Sequence, residues 1–444
     1  MKRKLVSAVL VGAMALSMLV GCGTTAGSDK TSEQGGNKQE GSSNGDQITI
    51  KVFSNLPDRK NGQGLVEQKI IDEYMEANKN IKIEVEALDE EAYKTKFKAY
   101  SMEGMPDVVS IWGQPSFLDE VVDAGVLAEL EQSDYKDYKF VEGSLDGFTY
   151  DGKLYGLPRN TDVAVIYYNQ KMFDDNNWKI PTTYDELLAL AKDINAAGIT
   201  PMAMDGGDGW PMAVYLTDVL YKLTASDYSD IVSNAIKTGD FSDKNLQKAT
   251  ELLKQAADAK LFQTGYDSQD YGTAQNLFTN GQAAMYYMGS WDASMALNED
   301  ITKDVRDNIR AFTMPVVDGG KAKATDITAW NGGGYAVSAN SEVKAEAIKF
   351  LNYMYQPDKL SKYGWENGVG MSAQDQSTYM TGKETDLQLQ ILEMVGNATS
   401  VSGTTMNDRG PSSFKTSIES EIQSVSNGST SVDDFLKTIG ASCK

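Results

Sequence analysis

Strand and helix patterns alternate along this chain and then begin again, and that restart limits the fold more than any other feature. Ile48 to Phe53 alternates apolar and polar residues, as a strand does. Leu65, Val66, Ile70, Ile71, Tyr74 and Met75 then recur at helical spacing. Ile81 to Leu88 alternates again, and a polar helix is predicted around Glu91 to Met102. It leads into Pro106 to Trp112, a short apolar strand of the kind buried on both faces of a parallel sheet. The order βαβαβ favours an open, doubly wound sheet.

A second series starts near Val163 to Tyr168. Thr183 is placed to cap a helix whose Glu186 returns to the cap's own amide, so a helix is predicted to run to about Ala197 and stop at Gly198. Thr200 to Met204 reads as the next strand. Further helices are predicted over Lys244 to Ala259, Thr273 to Asn280 and Glu342 to Tyr355, with strands at Ala283 to Met288 and Gly334 to Ser338. No fixed-period repeat suggests a solenoid. Most of the 444 residues carry this pattern, more than one compact core usually takes, so two lobes are expected.

The first residues read as an address. Lys2, Arg3 and Lys4 precede an apolar run from Leu5 to Val20 that is short for a membrane span. The run ends in Leu19-Val20-Gly21-Cys22, which resembles a bacterial lipobox, with Cys22 as the lipidated residue. From Gly23 to about Asp46 no aromatic residue occurs, so a flexible tether is expected.

The chain has a formal net charge of −22, no histidine and two cysteines, Cys22 and Cys443. Such a charge repels nucleic acid and anionic solutes. Lipidation of Cys22 leaves no disulfide in the mature domain. Without histidine there is no Ser-His-Asp or Cys-His catalysis, and no imidazole or thiolate cluster for zinc. Oxygen-only calcium sites and carboxylate-pair chemistry stay open in principle, but no Asp-x-Asp-x-Asp-Gly loop occurs, and no catalytic residue, metal site or cofactor is predicted.

Ligands of open sheets sit beyond the carboxyl ends of the strands. Trp112, Trp210, Trp291 and Trp330 fall at or beside such positions, three of them among glycines. An uncovered indole face matches the apolar C–H face of a pyranose, while carboxylates and amides at its edge meet the hydroxyls. Asp162 precedes the strand that opens the second series, which places it at the crossover between lobes. Asp292 follows Trp291, where helix capping is the alternative duty. The run Gly332 to Gly334 reads as a turn whose backbone, at Gly333, could approach a hydroxyl.

Six segments appear in a telling order: Pro106 to Trp112, Asp123 to Leu130, Gly152 to Pro158, Tyr168-Asn169, Gly281 to Trp291 and Gly334 to Ser338. Together they resemble the extracellular solute-binding proteins of carbohydrate ABC importers, the group that includes maltodextrin-binding proteins. The likeness runs from Ile48 onward and departs from the maltodextrin branch at Ser54 to Lys60 and around Trp365.

The resemblance implies a two-lobed α/β fold, each lobe an open sheet flanked by helices, joined by several crossing segments and closing on ligand. The N-terminal pattern described above makes residues 1–21 a lipoprotein signal and 22–46 the lipidated cysteine and tether. The first lobe would comprise 47–160 plus 314–366, and the second 161–313 plus 367–444. The ligand residues the resemblance implies are Ser54, Asn55, Trp112, Gln114, Asp162, Trp210, Trp291 and Asp408, to which the residue patterns add Asp292 and Gly333. The expected ligand is a mono- or oligosaccharide, the expected partners are ABC permease subunits, and the expected state is a lipid-anchored monomer outside the cytoplasmic membrane. A receptor of the same fold for a peptide or polyamine is the alternative, and a secreted carbohydrate-active enzyme with paired carboxylates is a further one.

Overall fold

A computed structural model describes residues 47–444, so the predicted signal, Cys22 and the tether lie outside the described residues. Ten strands build the two main sheets. Along the chain they are β1 (Ile48–Ser54), β2 (Ile81–Ala87), β3 (Val108–Trp112), β4 (Leu157–Pro158), β5 (Thr161–Asn169), β6 (Thr200–Ala203), β7 (Ala283–Gly289), β8 (Ile309–Phe312), β9 (Ala329–Asn331) and β10 (Gly333–Val337).

The first sheet has the order β2-β1-β3-β10-β4. Its β1, β2 and β3 are parallel, while β10 runs antiparallel to β3 and β4. Ile50, Val52 and Phe53 of β1 are buried against the helix Gly62–Ala77 and the helix Glu90–Glu103. The second sheet runs β8-β5-β7-β6, with β9 also pairing to β5. Only its β6–β7 pair is parallel. Successive residues of β5 serve opposite faces: Ala164, Ile166 and Tyr168 join one core, and Val163, Val165 and Tyr167 the other. That alternation explains why an uninterrupted apolar run forms a strand covered on both sides.

Three crossing segments lie side by side between the sheets and are stitched by backbone hydrogen bonds. Arg159 N donates to Gly333 O (2.8 Å), Gly332 N to Asn160 O (2.9 Å) and Thr161 N to Met371 O (3.0 Å). The return to the first lobe comes later than residue 314. Met314 and Val317 pack in the second lobe's core, and β9 pairs with β5, so the chain re-enters the first sheet only at Gly333. The Gly332 to Gly334 run is accordingly the passage between two strands rather than a turn.

The helix Trp210–Thr224 and the C-terminal helices Ser412–Ser426 and Val432–Ala441, which the periodicity did not single out, complete the second lobe. Every residue from Pro211 to Thr224 is buried, which erases the one-sided pattern that marks a surface helix. Among the described residues no helix is long and apolar enough to cross a membrane.

Candidate functional site

Both lobes line one open cleft of about 860 Å³, near the upper end of the roughly 300–1,000 Å³ usual for small-molecule sites. Nine of the ten sequence-predicted site residues lie along it: Asn55, Trp112, Gln114, Asp162, Trp210, Trp291, Asp292, Gly333 and Asp408. Ser54 does not. Its side chain is fully buried behind Asn55, where the hydroxyl donates to the Glu67 carboxylate (2.9 Å). As the last residue of β1 it faces the first lobe's interior.

The second lobe contributes a chain of indoles. Trp210 and Trp291 are half-buried with ring centroids 5.8 Å apart, and Trp291 meets Trp330 edge-on at 6.2 Å. Trp330 itself is largely buried, so it backs Trp291 more than it faces the cleft. The sequence places each ring through its neighbours. Pro211 opens the helix at whose first position Trp210 stands, and Gly209 reaches a φ of +76° where a Cβ would collide with the Glu419 backbone. A Cβ on Gly289 would occupy the space of the Trp291 ring, so the indole lies folded over a bare α-carbon.

Acids stand beside these rings. Asp292 caps no helix; it accepts from Tyr286 (2.9 Å) and from the Tyr271 hydroxyl. Burial pushes its carboxyl up to about 6, although bonds from Tyr271, Tyr286 and Gln275 oppose the shift. Asp162 accepts from Asn160, and burial raises it to about 7 against the pull of Arg159 and Asn160. Gly332 is required here, since a Cβ would collide with Asp162 Oδ2.

The first lobe's wall differs from expectation. Trp112 is half-buried, with Tyr93 and Phe117 edge-on at 5.7 and 5.1 Å, and Lys94 Nζ stands over its ring at 5.6 Å from the centroid. Its indole is therefore not an uncovered face. Gln114 donates to Asn331 O (2.9 Å), tying the wall to the crossing segments. Asp408 is already engaged, for it pairs with Lys415 and accepts from Ser116 Oγ across the cleft (2.7 Å). Its acidity is kept in the ionised range by Lys415 and Ser116, which outweigh burial.

Sequence reading missed Lys94, Arg159, Asn160 and Tyr271, which also line the cleft. Arg159 and Asn160 directly follow the noted segment ending at Pro158, so the crossover position of Asp162 could have flagged them. Lys94 and Tyr271 stand on helices, with no local signal. Buried polar atoms without a hydrogen-bond partner cluster here: Asn55 Oδ1, Asn160 Oδ1, Arg159 Nε and Nη1, and Asn407 Oδ1 all belong to lining residues. Buried polar groups are ordinarily satisfied, so this concentration marks a place suited to a polar ligand. Ten carboxylates and three cations, Lys94, Arg159 and Lys415, line the cleft, which disfavours an anionic one. Among the described residues no group of histidine, cysteine, aspartate or glutamate is arranged to hold a metal ion.

The sequence profile of a family described as bacterial extracellular solute-binding protein matches residues 69–366. A "multiple sugar-binding protein" of Streptococcus mutans is 28% identical over 325 residues, spanning 72% of this chain and 73% of that protein. An uncharacterised ABC transporter extracellular-binding protein of Pyrococcus horikoshii is 27% identical over 51% of this chain, and the match spans about half (54%) of that relative. A solved structure from work on xylan utilisation by the thermophile Caldanaerobius polysaccharolyticus superposes with a TM-score of 0.81 at 26% identity, covering 89% of this chain and 99% of that one.

Proposed function

The chain belongs to the bacterial extracellular solute-binding protein family, and on that premise we propose that it captures a neutral mono- or oligosaccharide for an ABC importer. The observation that carries this reading is the partly exposed Trp291 indole, flanked by Trp210 and by Asp162 and Asp292 in a cleft between two lobes. The sugar's C–H face stacks on the indole, its hydroxyls donate to the carboxylates, and the lobes close to exclude water. The sugar-binding name of the Streptococcus relative and the xylan context of the Caldanaerobius structure support the choice of ligand.

In this reading Asn55, Trp112, Gln114, Gly333 and Asp408 border the bound ligand, and Ser54 supports Asn55 from behind. Residues 1–21 are removed, Cys22 carries the lipid, and 22–46 tether a monomer near its permease on the outer face of the membrane. The protein binds without turning its ligand over, so incubation with oligosaccharides should leave them intact. The acid-rich lining also suits a cation, which makes a peptide or polyamine receptor the second reading.

Titration calorimetry with xylo-, malto- and galacto-oligosaccharides, and with spermidine, separates the two. A sugar is expected to bind at micromolar Kd or tighter, which corresponds to about 8 kcal/mol. Trp291→Ala should weaken it by about thirtyfold or more, as loss of a buried aromatic anchor does. Unchanged affinity in that variant would remove Trp291 from the site.

A further inference from the structure

Lys94 covers the one indole that the first lobe offers to the cleft. Its ammonium lies 5.6 Å from the Trp112 ring centroid, inside the footprint a stacked pyranose needs. Two anchors hold it there, Glu90 at 2.7 Å and Glu91 at 2.8 Å, one turn or less away on the helix Glu90–Glu103. Lys94, Glu90, Glu91 and Trp112 all line the cleft. Among the described residues no cation stands over Trp210 or Trp291 on the opposite wall, where the two indoles lie 5.8 Å apart.

We propose, resting on the sugar-receptor reading above, that Lys94 is a specificity-determining residue that closes the Trp112 face to the ligand and confines stacking on an indole to the second lobe. A long oligosaccharide then gains no first-lobe indole to stack on, and the site favours short ligands or ligand ends. The cover is built rather than incidental. A lysine free in solvent spends its time away from any one ring, whereas two carboxylates fix this one, and the Glu419 charge across the cleft adds to their pull.

The test compares calorimetric affinities for xylo-, malto- and galacto-oligosaccharides of two units and of four to six units. In Lys94→Ala the ratio of long-chain to two-unit affinity should rise about tenfold, the effect of one aromatic contact. In Lys94→Ala/Trp112→Ala that gain should vanish, since the uncovered ring is its source. Glu90→Gln/Glu91→Gln releases Lys94 without removing it and should move the ratio the same way, which keeps the test valid if Lys94→Ala folds poorly. An unchanged ratio in both variants, or a gain that persists without Trp112, overturns the assignment while leaving the sugar reading intact. Failure of every sugar series to bind any of these proteins overturns the sugar reading and this inference with it.

Discussion

Asp162 shows how one side chain links the crossover to the chemistry of the cleft. It sits on β5 directly after the crossing segment, buried, beside Arg159 and Asn160. Burial holds its carboxyl at about 7 in the folded chain against 3.8 in its ordinary state. Between those values the folded form binds the proton that the unfolded form releases, so stability from this group is full at low pH and is lost as pH rises toward 7. Urea unfolding of the ligand-free protein and of Asp162→Asn should record it. From about pH 5 to pH 8 the wild type should lose more stability than the variant, and parallel curves would show that Asp162 ionises as freely when folded. Asp162 and Trp291 were legible because one stands at the start of the strand that opens the second lobe and the other just after a strand end. Ser54 was not, since the last residue of β1 turns inward to Glu67 while only its neighbour Asn55 reaches the cleft. The cover on Trp112 was equally hidden, because whether an indole is open depends on a lysine 18 positions earlier in the chain.

At the level of elements, local rules succeeded wherever an element carries its own punctuation. The helix Tyr184–Ala196 starts at Thr183, whose side chain accepts from Glu186 N (3.2 Å), while Glu186 returns to the amide of Thr183 (3.2 Å). It ends before Gly198 at a φ of +76°. Thr183→Ala leaves one first-turn amide without its acceptor and should cost about 1 kcal/mol, whereas Thr183→Ser should cost little. A shift of the urea midpoint in the first variant alone, with the slope of the transition unchanged, is the expected record. The helix Trp210–Thr224 lacked such marks: it is capped by Gly209 with no side-chain bond and is buried on all sides. The sequence pattern therefore places Trp210 only beside a strand end, whereas it opens a helix. Similarly, the expected parallel arrangement holds for β1, β2 and β3, but β4, β5, β9 and β10 are antiparallel to their neighbours because the chain shuttles between lobes there.

For the whole molecule the open question is what balances the lobes against each other before ligand arrives. Two lobes were legible from length and from the restarted pattern, and their closing on ligand from the family resemblance. The contacts bridging the cleft were not, since they join residues nearly 300 positions apart. One is the bond from Ser116 Oγ on the helix Pro115–Asp123 to Asp408 Oδ1 (2.7 Å), the same oxygen that Lys415 Nζ reaches. Another joins Ser412 to Glu120. A hydrogen bond to a charged group contributes about 1.5–3 kcal/mol at most, and less where water competes. That is still enough to shift a two-state balance severalfold. Ser116→Ala should thus move the ligand-free protein toward a more open form, while Lys415 keeps Asp408 paired and the second lobe intact. Small-angle X-ray scattering should give a larger radius of gyration for the variant alone and the wild-type value once saturating ligand is added. The affinity should fall by the same factor as the closed fraction, because binding must then supply the closure that the bridge had supplied. If the ligand-free radius matches the wild type, this bridge contributes nothing to lobe spacing, and the stitched crossing segments around Arg159, Gly332 and Met371 set it instead.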